Sequence, residues 1–323
     1  MEIEHDPAIR ALAERRGGYF TTADARAYGY GPTPLAAARR QGALTKVRYG
    51  AWALSRMHEA LDATERYAVC CLAVADKLGP GTALTHHSAI AVRGLPLVAV
   101  DLSVVHVTRL DGRTGRTVAG VRFHEGSLAD DEIAEVAGRP VSTLPRAVWE
   151  SASLAHVRSG VVLMDAVLHR ELVDREQLER AQVRHRGWRG SPRAAAALTF
   201  ADGRSESPGE SLGRWMFHVF DLPEPELQYD VFDEDGRFLG RSDYAWPQWR
   251  HLGEFDGLRK YLRPYKQGDD ASRVVVSEKR REEKMCGQRF GMSRLIWSDV
   301  FALDRRVADR VRAQMEQSRR LFG

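Results

Sequence analysis

Gly240-Arg241-Ser242-Asp243-Tyr244-Ala245-Trp246-Pro247, followed by Glu254-Phe255-Asp256-Gly257-Leu258-Arg259-Lys260, is the stretch that decides the fold of the last third of this chain. Glu254 and Asp256 are two apart, so on a strand they share one face. Asp243 lies one hairpin turn upstream, at the end of the preceding apolar run. Carboxylates and a lysine gathered at one sheet edge suit a hard cation and a phosphodiester. Outward from that centre, Pro208 opens a helix over 208–220 that carries Glu210 in its first turn. Strands read at 227–232, 238–245 and 252–255, with Glu234-Asp235-Gly236 as the first turn. A helix near 276–286, a strand near 294–297 and a terminal helix from about 304 complete an α-β-β-β-α-β-α order.

The N-terminal residues read differently. Asp6-Pro7 caps and starts a helix over 6–16 that ends at Gly17-Gly18. Thr21 or Thr22 caps a second helix, which stops near Gly29. A third runs from about Pro34 to Gln41. Leu44–Leu54 alternates around Tyr49-Gly50 as a hairpin does. Three short helices and a hairpin spell a winged helix-turn-helix, with the third helix as recognition helix and the hairpin as wing. Residues 25–58 contain no Asp or Glu, but they include Arg39, Arg40, Lys46 and Arg48. These four are the expected DNA-binding residues, because an acid-free basic stretch is the footprint of a phosphate-binding surface. A second acid-free stretch covers 180–201.

The chain has 323 residues, 28% charged and 43% hydrophobic, with a net charge of +4. No apolar run is long enough to span a bilayer, and the acidic N-terminus is no secretory signal. Cys70, Cys71 and Cys286 lack zinc-type spacing, so a reduced, cytoplasmic protein is expected. The fold class expected is α/β (α+β), with three domains. Residues 1–56 form the winged helix, 57–202 a mixed α/β scaffold or interaction domain, and 203–323 the carboxylate-bearing domain. In the middle region a helix over 59–79 and strands at 102–108 and 117–123 are expected. His86 and His87 are adjacent, whereas a metal pair on a helix needs a spacing of three or four. They read as cap and surface residues.

Four motifs in order, Ser207-Pro208-Gly209-Glu210-Ser211, Gly240–Pro247, Glu254–Tyr261 and Glu278-Lys279-Arg280-Arg281-Glu282, resemble the PD-(D/E)xK nucleases, in the branch related to very-short-patch-repair endonucleases. The resemblance implies a restriction-endonuclease-like fold and a Mg²⁺ (or Mn²⁺) ion held by Asp243, Glu254 and Glu210. It also implies Lys260 beside the scissile phosphate and Asp256 as a further catalytic carboxylate. Two positions depart from the pattern: Ser242 stands where proline is usual, and Asp256 where lysine is usual. The first 55 residues separately resemble the winged-helix domain of AbiEi-type antitoxins. Two functions from different classes follow. One is a DNA-binding endonuclease of defence or repair, for which duplex cleavage requires a homodimer. The other is a non-catalytic antitoxin or transcriptional regulator with a degenerate nuclease fold and a cognate toxin as partner.

Overall fold

The computed structural model describes residues 2–113, 115–126, 128–257 and 281–323. It is a mixed α/β protein that divides into two compact units, 1–163 with 173–200 and 164–172 with 201–323. The break expected at 56/57 therefore falls inside the first unit. The chain passes to the second unit between Phe200 and Ala201.

The first unit begins with α1 (Pro7–Arg16), α2 (Thr22–Ala27) and α3 (Pro32–Arg40). The Asp6 carboxylate accepts from the N–H groups of Ala8 (2.8 Å) and Ile9, and Pro7 occupies the first helical position. Gly17 stops α1 at φ +85°, a left-handed value that favours glycine. Thr21 and Asp24 form a reciprocal cap on α2. Strands β1 (Phe20–Thr21), β2 (Leu44–Arg48) and β3 (Ala51–Leu54) make a sheet of order β1-β3-β2. Ile9, Phe20, Leu35, Leu44 and Leu54 close a small core beneath it. This is the helix-and-wing arrangement anticipated from the capping and turn residues.

The unit continues with α5 (Ala63–Leu78), after a short α4 (Ser55–Glu59), and with a six-stranded mixed sheet. Its strands are β4 (Thr82–Leu84), β5 (Val105–Arg109), β6 (Arg116–Val118), β7 (Val121–His124), β8 (Ile133–Val136) and β9 (Arg139–Ser142), in the order β6-β7-β5-β4-β9-β8. Pairs β5/β7 and β4/β9 are parallel. Tyr67, Cys71 and Val74 of α5 pack on Leu84, Val105, Val107 and Val141. Helix α6 (His86–Ala91) follows β4, α7 (Leu144–Leu154) follows β9, and α8 (Val157–His169), α9 (Arg175–Arg184) and α10 (Ser191–Phe200) come next along the chain.

In the second unit, α11 (Pro208–Val219) lies on a sheet of β10 (Glu226–Phe232), β11 (Phe238–Trp246), β12 (His251–Asp256) and β13 (Gly291–Ile296). The first three strands are sequentially antiparallel, and β12/β13 is parallel. Residues 281–286 are helical, and a terminal helix spans Arg305–Phe322. Two glycines one turn apart let α11 approach. A Cβ on Gly209 would overlap the Phe255 ring, and one on Gly213 would overlap the Tyr244 hydroxyl. The Tyr244 hydroxyl donates to the Glu210 carbonyl (2.7 Å), which fixes the helix along its axis. Phe217 meets Tyr244 and Trp246 edge-on, each at 5.1 Å between centroids.

Asp165 and Arg214 form a fully buried ion pair at 2.8 Å within this unit, and Asp165 also accepts from the Asp202 N–H. Removing one partner leaves a buried, uncompensated charge. Asp165→Ala is therefore expected to cost about 3–5 kcal/mol in urea unfolding. A change under about 1 kcal/mol would show the pair to be dispensable.

His251 is buried between the Ser318 and Ser293 hydroxyls (2.8 Å each), and burial pushes its pKa down to about 4. The folded value lies below the unfolded one, so the stabilisation is complete above the ordinary histidine range. It is lost as pH falls from there towards the folded value. The stability difference between the wild type and His251→Gln should shift against the wild type by up to about 1.4 kcal/mol per pH unit across that window. A pH-independent difference, read by denaturant midpoints at each pH, would contradict this.

Candidate nucleic-acid interface and carboxylate cluster

Helix α3 presents Arg39 and Arg40 from its last turn, and both are exposed. They line one side of a cleft of about 510 Å³, with Pro32, Leu35 and Ala36 on the same helix and Thr22 and Trp52 opposite. The Trp52 indole N–H donates to the Thr22 hydroxyl (3.0 Å), which ties β3 to the start of α2 and fixes the cleft wall. Lys46 is exposed on β2. Beyond it Tyr49, 82% exposed at the wing tip, has the ammonium groups of Lys46 (5.7 Å) and Lys77 (5.3 Å) over its ring. Sequence patterning does not single out Tyr49 or Lys77. An exposed tyrosine at a hairpin tip is the available signal for the first, and Lys77 arrives only because α5 ends beside the wing.

Arg48 departs from expectation. One guanidinium nitrogen donates to the Ala119 carbonyl, and the other approaches the Cys70 sulfur (3.8 Å). A register shift between Lys46 and Arg48 turns these neighbours differently. Arg48 thus braces the wing on the six-stranded sheet, while Arg39, Arg40 and Lys46 face outward.

In the second unit, antiparallel pairing of Tyr244 with Gly253 places Asp243 opposite Glu254 one step further along. At that step the ladder opens. The Phe255 N–H bonds the Asp243 carboxylate (2.7 Å). Ser242 is fully buried, and its hydroxyl lies within hydrogen-bond reach of the carbonyls of Gly253 (2.9 Å) and Tyr244 (3.0 Å). The serine therefore bridges the two strands that hold the carboxylates.

Glu254 is buried, but its charge is met by arginine. Arg281 reaches one carboxylate oxygen at 3.0 Å and Arg294 the other at 3.2 Å. Arg294 also contacts Glu282 (2.8 Å) and Asp256 (3.8 Å). Parallel pairing of Glu254 with Arg294 on β13 puts it there. Arg294 is not visible as a partner from sequence spacing, because its strand is distant along the chain. Glu210 is turned towards Gln228, whose amide donates to it at 2.9 Å, and the Glu206 N–H donates to the same oxygen. Burial raises the Glu210 pKa above the usual glutamate value, against those donors. Gln228 itself sits at φ +53° within β10, a left-handed value uncommon for a residue with a side chain.

Among the described residues, Glu210, Asp243 and Glu254 do not form a group whose donor atoms all come within reach of one ion. In this arrangement Arg281 and Arg294 occupy the Glu254 carboxylate, so a Mg²⁺ or Mn²⁺ ion there has to displace them. The expectation that a buried carboxylate here requires a cation is met instead by guanidinium groups. Lys260 lies outside the described residues.

Replacing Arg39, Arg40 and Lys46 with alanine should flatten the log–log salt dependence of duplex binding by about 0.9 for each phosphate whose cation is removed. Arg48→Ala should leave the slope unchanged and lower the melting temperature. A slope unaffected by the triple substitution would remove the cleft from the interface.

Comparison with known proteins bears on the N-terminal residues. Residues 7–55 match the family described as transcriptional regulator, AbiEi antitoxin. Over 183 residues the chain is 31% identical to proteins of Mycobacterium tuberculosis named uncharacterized protein MT2308 (strain CDC 1551 / Oshkosh) and uncharacterized protein Rv2248 (strain H37Rv). Each match covers 52% of this chain and 65% of the relative, so the chain spans just under two thirds of these relatives. No described helix is long and apolar enough to cross a membrane. The chain thus carries, over residues 7–55, an N-terminal domain of the AbiEi-antitoxin regulator type.

Proposed function

We propose that this protein is a DNA-binding transcriptional regulator of the antitoxin type, with a cognate toxin as its protein partner. The observation that carries the reading is the winged helix over residues 7–55, matched to that regulator family, with Arg39, Arg40 and Lys46 exposed around the α3 cleft. Phosphate contacts from these cations supply affinity. The N-terminal part of α3 and the cleft residues supply base contacts in the major groove. Fluorescence anisotropy with duplex DNA from upstream of the protein's own coding sequence tests it. Specific binding at least about tenfold tighter than to shuffled DNA, weakening with salt, is expected. Equal, salt-independent affinity for both would sink it.

A second reading is favoured by one observation, the register that sets Asp243 opposite Glu254 at the open end of the β11/β12 ladder. It is a Mg²⁺- or Mn²⁺-dependent endonuclease using Asp243, Glu254, Glu210 and Asp256, with Lys260 supplied from outside the described residues. The arginine partners of Glu254 speak for the regulator, because a cation would have to displace them. We expect the wild type with Mg²⁺ or Mn²⁺ to nick supercoiled plasmid no faster than Asp243→Ala. Cutting by the wild type that disappears in both Asp243→Ala and Glu254→Ala would replace the regulator reading with the nuclease.

A further inference from the structure

Four histidines converge in the first unit. His86 and His87 open α6, His106 lies on β5 and His124 ends β7. The His106 Nδ1 and His124 Nε2 atoms are 2.8 Å apart. The His86 ring stacks on His124 with centroids 3.6 Å apart, and His87 meets His106 edge-on at 5.2 Å. His87 and His106 are each 3% exposed, whereas the His86 side chain keeps 14%, which leaves an entry to the cluster.

Hydroxyl groups reach two of these rings, and backbone bonds fix the elements that carry them. The His87 Nδ1 pairs with the Ser151 hydroxyl (2.6 Å), and the His86 Nδ1 with the Thr85 hydroxyl (3.1 Å). The His86 N–H donates to the buried Glu150 carboxylate (3.0 Å), and the backbone there is held at φ +51°. The His106 N–H donates to Ser88. A hydrogen bond on one ring nitrogen orients a metal-binding histidine, and His86 has one with the Thr85 hydroxyl.

We propose that this imidazole cluster binds one divalent transition-metal ion of the Zn²⁺ class, with His106 and His124 as the first two ligands and His86 as the third. Imidazole nitrogens suit Zn²⁺, Co²⁺ and Ni²⁺ and do not suit Mg²⁺ or Ca²⁺. Two ligands at about 2.0–2.1 Å from a tetrahedral ion stand roughly 3.4 Å apart, so the His106/His124 pair needs to open only slightly. Among the described residues, a three-donor group already within one ion's reach occurs at Glu2, Glu4 and His5, on the exposed N-terminus. The third ligand of the buried site therefore requires the His86 side chain to swing off its stack on His124.

The test uses full-length, tag-free protein stripped with a chelator and titrated with ZnCl₂ and CoCl₂ by calorimetry and visible absorption. One ion per chain and the d–d bands of nitrogen-ligated, four-coordinate Co²⁺ are expected in the wild type, unaffected by millimolar Mg²⁺. His106→Gln and His124→Gln, checked for folding by circular dichroism, should each weaken binding at least about tenfold. His5→Ala should leave it unchanged. No bound Co²⁺ or Zn²⁺ in the wild type would overturn the proposal and reduce the 2.8 Å approach of His106 and His124 to an N–H···N hydrogen bond. Abolished binding in His5→Ala with retention in His124→Gln would also overturn it. The wild-type spectrum decides the matter even where a glutamine variant fails to fold.

Discussion

The Asp76 carboxylate, in the last turns of α5, organises the first unit. Arg139 of β9 grips both its oxygens (2.6 and 3.0 Å), Arg16 at the end of α1 reaches it at 2.8 Å, and the Tyr19 hydroxyl donates to it. Burial beside this carboxylate pushes the Tyr19 pKa up to about 12, so the phenol remains a donor at physiological pH. One side chain thus collects a helix and a loop of the winged helix and a strand of the six-stranded sheet. Arg16 extends the network to Asp24, which completes the reciprocal cap of α2 with Thr21. Gly17 and Gly18 allow this closeness, because a Cβ on either would strike Leu72 or Val69 of α5 at under 3 Å. The wing is braced the same way by Arg48. The exposed cations Arg39, Arg40 and Lys46 are therefore carried on a surface whose underside is locked to the rest of its unit.

Charge compensation governs the second unit too, with a different outcome. Buried carboxylates demand a partner. Asp165 takes Arg214, and Glu254 takes Arg281 and Arg294. Glu210 takes neutral donors. The same acids at the same sheet edge are compatible with a cation-dependent site or with an internally neutralised one. The choice rests on whether guanidinium groups or a metal supply the positive charge. In this structure the guanidinium groups supply it.

Local chemistry made much of this protein legible from its sequence. Asp6-Pro7, Thr21 with Asp24, Ser207-Pro208 and the Tyr49-Gly50 turn set helix starts and a hairpin, because capping and turn geometry depend on residues only a few positions apart. The helix–strand order of the last third followed from alternation and apolar runs in the same way. The short strands β4, β8 and β9 were not visible, since three or four residues carry too little period to register. Where side chains from distant segments meet, only the tertiary structure could decide. Arg48 turns inward because a register shift in β2 rotates it. Arg294 reaches Glu254 because β13 pairs in parallel with β12. His86 and His87 join a histidine cluster rather than serving as cap and surface because β5 and β7 deliver His106 and His124 beside them. Sequence spacing records what one element presents. The pairing of elements far apart in the chain determines what each side chain meets.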